Sequence, residues 1–193
     1  WGDAPTTGSE VDPAADPGVV VPDALQLGAM APYDLGPGMV GLAKMSRYGG
    51  PNRLFRQPPR SEAALLTPWT LGYGTGVQPV DEPALQPGER RLGKLSRIDA
   101  YGTYLLLASR LGADRALAAA DQYGGDQPGL IERDGRPCTR ITFRSRDLAG
   151  APILQQAVAD WARAMPPGTA DVVVGRDTVT LTTCDDGSSA GPM

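Results

Sequence analysis

The sequence predicts an α+β protein. A helical N-terminal part, residues 22–125, packs on a ββαββ part with an antiparallel sheet, residues 126–185. Three observations carry that prediction. The apolar residues before Asp126 recur at helical spacing, and after Asp126 they alternate. Asp134-Gly135 lies between two alternating runs, the signature of a type I′ hairpin turn. Between the two regimes lies Ser96 to Asp126, the longest stretch with an unbroken pattern.

That stretch reads as two helices. Ser96 is the expected N-cap, with Asp99 as the acid of a capping box. Ile98, Tyr101, Leu105 and Ala108 fall on one side, and Tyr104, Leu107 and Leu111 on an adjoining one. So wide an apolar surface predicts a helix buried on most of its circumference. Gly112 ends it, and Asp114 starts an Ala-rich second helix that runs to Gln122. Tyr123-Gly124-Gly125-Asp126 then reads as a helix C-cap, with Tyr123 packed beneath and Asp126 bonding the turn backbone.

Upstream, residues 1–21 are acidic, rich in Pro and Gly and without period, so they read as a tail or linker. A short helix is expected from Asp23 to Met30, and a second, carrying Tyr33, Met39, Val40, Leu42, Ala43 and Met45, that ends at Gly49-Gly50. A helical turn with Leu54 and Phe55 follows, then a short helix capped by Ser61. Residues 67–95 carry many Gly and Pro and little pattern. Trp69 and Tyr73 lie there among few charges, so this loop is expected to pack on the protein or on a partner. Trp69, Tyr73, Tyr123 and Asp126 form the candidate binding surface.

Downstream, Thr139, Ile141 and Phe143 share one face of the first hairpin. A helix from Pro152 to Met165 carries Ile153, Ala157, Trp161 and Met165 along one stripe, with Leu154 and Val158 beside it. Val172 to Val174 and Thr178 to Cys184 form the second hairpin. One helix covering one face of a four-stranded sheet buries these stripes. Residues 186–193 are a polar tail. Cys138 and Cys184 both fall on the polar phase of their strands, so a disulfide between them is expected on the outer face. It closes a loop of about forty-five residues, worth on the order of 3–4 kcal/mol. The other reading of the pair is two reduced, buried thiols.

Composition excludes several kinds of chemistry. The chain has no His, which removes Ser-His-Asp and Cys-His nucleophiles, His general acid–base catalysis and His-based zinc sites. Its net charge of −4, with no basic cluster beyond Glu89-Arg90-Arg91, argues against nucleic-acid binding. Gly (25) and Pro (19) exceed a fifth of the 193 residues, which requires long loops or tails. No apolar run approaches the length of a membrane span. A start at Trp1 reads as a mature form, a processed product or a cloned fragment. Two cysteines in a chain with only Lys44 and Lys94 as lysines fit an exported protein. Gly72 to Gly76 is phosphate-loop-like only in its glycines, since no Gly-Lys-Ser/Thr follows. A carboxylate-only enzyme has Asp114, Asp121, Asp126 and Glu132 to draw on, but caps and turns explain all four. No catalytic, cofactor-binding or metal-ligating residue is assigned.

Two segments carry a family resemblance. PYDLGPGMVGLAKMSRYGGPNRLFRQPPRSEAALLTPW places a helix from Pro-Tyr to Gly-Gly, a helical turn, Pro-Pro, then Ser and a further helix. AYGTYLLLASRLGADRALAAADQYGGD follows with an aromatic-Gly helix and an Ala-rich helix into aromatic-Gly-Gly-Asp. Over roughly residues 22–185 this order resembles the C-terminal region of exported, actinobacterial-type metallopeptidase-like proteins. The cysteines of GRPCTR and TLTTCD fit the same pattern. The family's zinc site is an H-E-x-x-H helix plus a later acid, both upstream of these segments. This chain contains neither, so no metal ligand carries over. Ala100 also stands where the family has an acid. The resemblance implies a non-catalytic, extracytoplasmic C-terminal region that shapes a substrate groove or docks a partner, such as an upstream catalytic half. The alternative is a free-standing interaction module, such as an accessory subunit of an envelope complex.

Overall fold

The computed structural model describes residues 23–45, 50–68 and 77–184. Helix α1 (Asp23–Met45) comes first, then α2 (Pro51–Arg56) and α3 (Ala63–Leu66). Strand β1 (Arg90–Lys94) precedes the helix pair α4 (Asp99–Leu111) and α5 (Ala113–Ala120). The remaining elements are β2 (Tyr123–Arg133), β3 (Arg136–Ser145), α6 (Ala151–Arg163), β4 (Ala170–Val174) and β5 (Thr178–Thr183). The protein is α+β, with a helical N-terminal part and an antiparallel sheet. No helix among the described residues is long and apolar enough to cross a membrane.

The sheet has five strands in the order β1-β2-β3-β5-β4, all neighbours antiparallel. The β2–β3 hairpin turns at Asp134 (φ 54°) and Gly135 (φ 74°), the two positive values that a type I′ turn requires. The main core lies between the sheet and helices α4, α5 and α6. Ile141, Phe143, Val179 and Leu181 face Leu107, Leu154, Val158 and Trp161 across it. Ala116 and Ala119 are fully buried, and their small side chains let α5 lie close to its neighbours.

Several expectations are corrected. The N-terminal segment is one helix and not two, continuing through Pro32 and Pro37. Each proline removes one helical hydrogen bond, to the carbonyl four residues earlier. Those carbonyls belong to Gly28 and Tyr33, both exposed residues, so losing the two donors leaves no buried acceptor unpaired. The sheet gains a fifth strand from the segment expected to be loop, because Arg90–Lys94 pairs with β2. Its residues, Arg-Arg-Leu-Gly-Lys, include one large apolar side chain, so no apolar alternation marks the strand in the sequence. On α6 the buried positions are Leu154, Ala157, Val158 and Trp161, while Ile153 is 48% exposed. The expected stripe otherwise holds: Leu154, Ala157, Val158, Trp161 and Met165 are buried, and Ile153 alone departs from it. Ser96 does not cap α4, whose N-cap position is Ile98.

Cys138 and Cys184 form the disulfide, 46 residues apart, with Cα atoms 4.1 Å apart. It fastens β3 to the residue after β5. Cys138 is buried on the outer face, where the bridge is expected. Reducing the bridge should lower stability by about 2–4 kcal/mol, chiefly by freeing the unfolded chain. Urea unfolding with and without reductant measures this, and unchanged midpoints would contradict it.

Candidate functional site

Residues 123–126 are the stretch most suggestive of chemistry, and they open β2. Two glycines explain why they are strand and not a helix cap. A Cβ on Gly124 would fall 2.5 Å from the backbone of Ser145 and Arg146. One on Gly125, whose φ is 146°, would fall 2.4 Å from the carbonyl oxygen of Gln78. Only glycine lets the end of β3 and the segment from residue 77 approach this closely.

Asp126 consequently points inward, beneath the start of α4. Its carboxylate accepts the backbone N–H of Ile98 and of Asp99, both at 3.1 Å. The Tyr123 hydroxyl donates to the same carboxylate. Asp126 therefore caps α4 from a remote strand, satisfying helix-start donors that Ser96 does not reach. Tyr123 and Asp126 are each 1% exposed, so neither belongs to a binding surface. Burial and the Asp126 carboxylate push the Tyr123 hydroxyl far above its ordinary pKa, which keeps it a neutral donor.

Around this cap the structure gathers residues that the sequence did not single out together. Asp99 has φ 55°, a left-handed conformation that Asp tolerates better than most side chains. Its carboxylate accepts Ala100 N–H at 2.6 Å and the Ser61 hydroxyl at 2.7 Å. Ser61 also accepts the N–H of Ala63 at 3.1 Å. It stands one residue before the α3 N-cap position, Glu62, and not at the cap as the sequence predicts, and it ties the start of α3 to α4. Burial, then the charge of Asp99, raises the pKa of Glu62 nearby. The hydroxyl of the buried Ser61 is thus engaged twice, and the group joins α3, α4 and β2. Asp114 lies instead in the first turn of α5, Asp121 at its C-cap, and Glu132 pairs with Arg90 at 2.8 Å. The four carboxylates considered from sequence do not form one constellation. Trp69 and Tyr73 lie outside the described residues.

Asp126→Ala should cost about 2–3 kcal/mol, combining a lost cap with an orphaned Tyr123 hydroxyl. Adding Tyr123→Phe should recover part of that loss. Chemical denaturation of the three variants checks it, and a cost within experimental error for Asp126→Ala would contradict the capping role.

A second polar centre covers the outer face of the sheet. Residues 77–89 cross that face as a strap. Gln78 N–H donates to Gly124 O at 2.7 Å, and Arg144 donates to Pro79 O at 3.0 Å. Arg140 of β3 donates to Glu89 through both terminal nitrogens, at 2.7 and 2.6 Å. It also reaches Ala84 O at 2.7 Å and Thr182 Oγ1 at 2.9 Å. Arg133 adds a bond to Glu89 at 2.9 Å and pairs with Asp171 of β4. The Arg140 and Glu89 side chains are 4% and 3% exposed, so the pair is buried. Hydrogen bonds from Arg140 lower the pKa of Glu89 to about 2. A bidentate, desolvated pair of this kind fixes geometry, and here it fastens the strap to the sheet.

One groove among the described residues lies elsewhere, between the end of α6 and the edge of β4. It is open, has a volume of about 430 Å³, and is lined by Ala159, Ala162, Met165, Pro166, Ala170 and Val172 among others. Among the described residues, no group of three or more Asp, Glu or Cys side chains is placed to hold a metal ion. Compared with known proteins, the chain matches no family model, no curated protein and no solved structure.

Proposed function

We propose that this chain is a non-catalytic C-terminal region of a secreted or envelope metallopeptidase-like protein, where it shapes a substrate groove or docks a partner. The observation that carries the non-catalytic reading is the use made of Tyr123 and Asp126. Both are buried and bonded to the start of α4, so they serve architecture. The disulfide supports an extracytoplasmic location, since such bridges persist in oxidising compartments. Exposed apolar side chains support docking: Leu27, Met30 and Tyr33 on α1, and Phe55 on α2. The metallopeptidase-like assignment rests on the sequence resemblance.

The reading frame upstream of the Trp1 codon tests this. An in-frame H-E-x-x-H, in a segment that co-purifies with this chain when the two are expressed separately, is the expected result. A signal peptide ending at Trp1 would overturn the C-terminal-region reading in favour of a free-standing module.

A further inference from the structure

The two edges of the sheet are built differently. The β1 edge carries Arg90, Arg91 and Lys94 and a register shift, devices that discourage pairing with another strand. The β4 edge, Ala-Asp-Val-Val-Val, has no Lys, Arg or Pro. Val173 and Val174 are 66% and 56% exposed.

The hydrogen-bond phase of β4 fixes which backbone groups point outward. Gly175 N–H donates to Thr178 O at 2.9 Å, and Cys184 N–H to Thr169 O at 2.8 Å. The intervening bonded pairs are therefore Asp171–Thr182 and Val173–Thr180. Ala170, Val172 and Val174 turn their N–H and C=O groups away from β5. No hydrogen bond among the described residues reaches those groups. Beside them runs the groove to α6, its lining mostly small and apolar.

We propose that β4 is a strand-addition site for an extended, uncharged peptide segment of a partner protein, with β-branched apolar side chains at alternate positions. The unpaired edge specifies an extended backbone, and the period of two places every second side chain in the groove. The rim adds no charge selection, because Arg163 is already paired with Asp160 and Asp171 with Arg133. A second copy of the chain fits less well. A seam five residues long falls far short of the roughly 800 Å² per partner typical of stable protein pairs. The proposal deepens the docking reading above and rests on it.

Amide hydrogen exchange of the full chain by NMR tests the site. The probe is the capped, uncharged heptapeptide Ser-Val-Thr-Val-Thr-Val-Ser. At saturating probe, exchange at Val172 and Val174 should slow by about tenfold or more, with less change at Val173, already bonded to β5. N-methylating the probe on one set of alternate nitrogens should abolish the effect, and on the other set leave it. Val174→Pro removes one outward donor at an edge position that tolerates proline, and should weaken binding by about tenfold with the melting temperature little changed. No protection at millimolar probe would overturn the proposal. So would protection in the free chain, whether it rises with chain concentration, as for a second copy, or is independent of it, as for a covering segment of the same chain. Protection confined to α1 would overturn β4 as the site while leaving the docking reading intact.

Discussion

Trp161→Ala is expected to lower the unfolding free energy by about 3–5 kcal/mol, the range for emptying a buried aromatic site. Trp161 is 5% exposed and belongs to the core shared by α4, α5, α6 and the sheet. Its indole N–H donates to Ser109 Oγ at 3.1 Å, and the Arg110 guanidinium lies 5.8 Å from the ring centroid. Truncation therefore leaves a cavity, removes the indole hydrogen bond to Ser109, whose hydroxyl still donates to Leu106 O at 2.6 Å, and removes a cation–π contact. Trp161→Phe keeps most of the volume and loses the donor, so it should cost distinctly less. Urea unfolding of both variants measures the difference. A loss below about 1 kcal/mol for Trp161→Ala would mean that α6 turns another face to the core.

Arg140→Met is expected to cost a similar amount, about 3–5 kcal/mol, for a different reason. It leaves the Glu89 carboxylate buried with its principal partner gone. The remaining donors, Arg133 Nε and Gln86 N–H, do not replace a bidentate guanidinium. Removing both charges, as in Arg140→Met with Glu89→Gln, should recover most of the loss, because desolvating an ion pair offsets much of its attraction. The pH dependence follows from the lowered pKa of Glu89, ordinarily 4.5 and here about 2. A depressed carboxylate stabilises the fold fully above its unfolded pKa. That contribution declines as pH falls from about 4.5 and is lost on passing below about 2. The stability difference between the native chain and Glu89→Gln should therefore shrink steadily across this acid range. A difference independent of pH would show that the carboxylate does not hold the strap through its charge.

Local signals foretold the elements they control. Asp134-Gly135 identifies its hairpin because the two-residue turn needs positive φ at both positions. The helix pair and α6 were legible from apolar spacing, although the buried stripe of α6 runs through Leu154 rather than Ile153. The Cys138–Cys184 bridge followed from strand phase, since cysteines in phase on neighbouring strands meet when the register allows. Long-range choices were not legible. Arg90–Lys94 becomes a strand only because β2 offers an edge some forty residues later, as in the pairing of Arg90 with Glu132. Arg140 meets Glu89 across 51 residues, and nothing local distinguishes either from other arginines and glutamates. In the sequence Tyr123 to Asp126 reads as a helix-ending turn. Their actual role, a cap donated from a strand to a helix that begins 27 residues earlier, depends on tertiary packing.

Zinc content and peptide hydrolysis measured together on the purified, disulfide-bonded chain test the central claim most directly. The chain is dialysed against excess zinc, passed over a desalting column, and then assayed by elemental analysis and with a mixed peptide substrate. The non-catalytic reading predicts zinc far below equimolar and no hydrolysis above the protein-free control. Equimolar zinc together with hydrolysis that a chelator abolishes would contradict it.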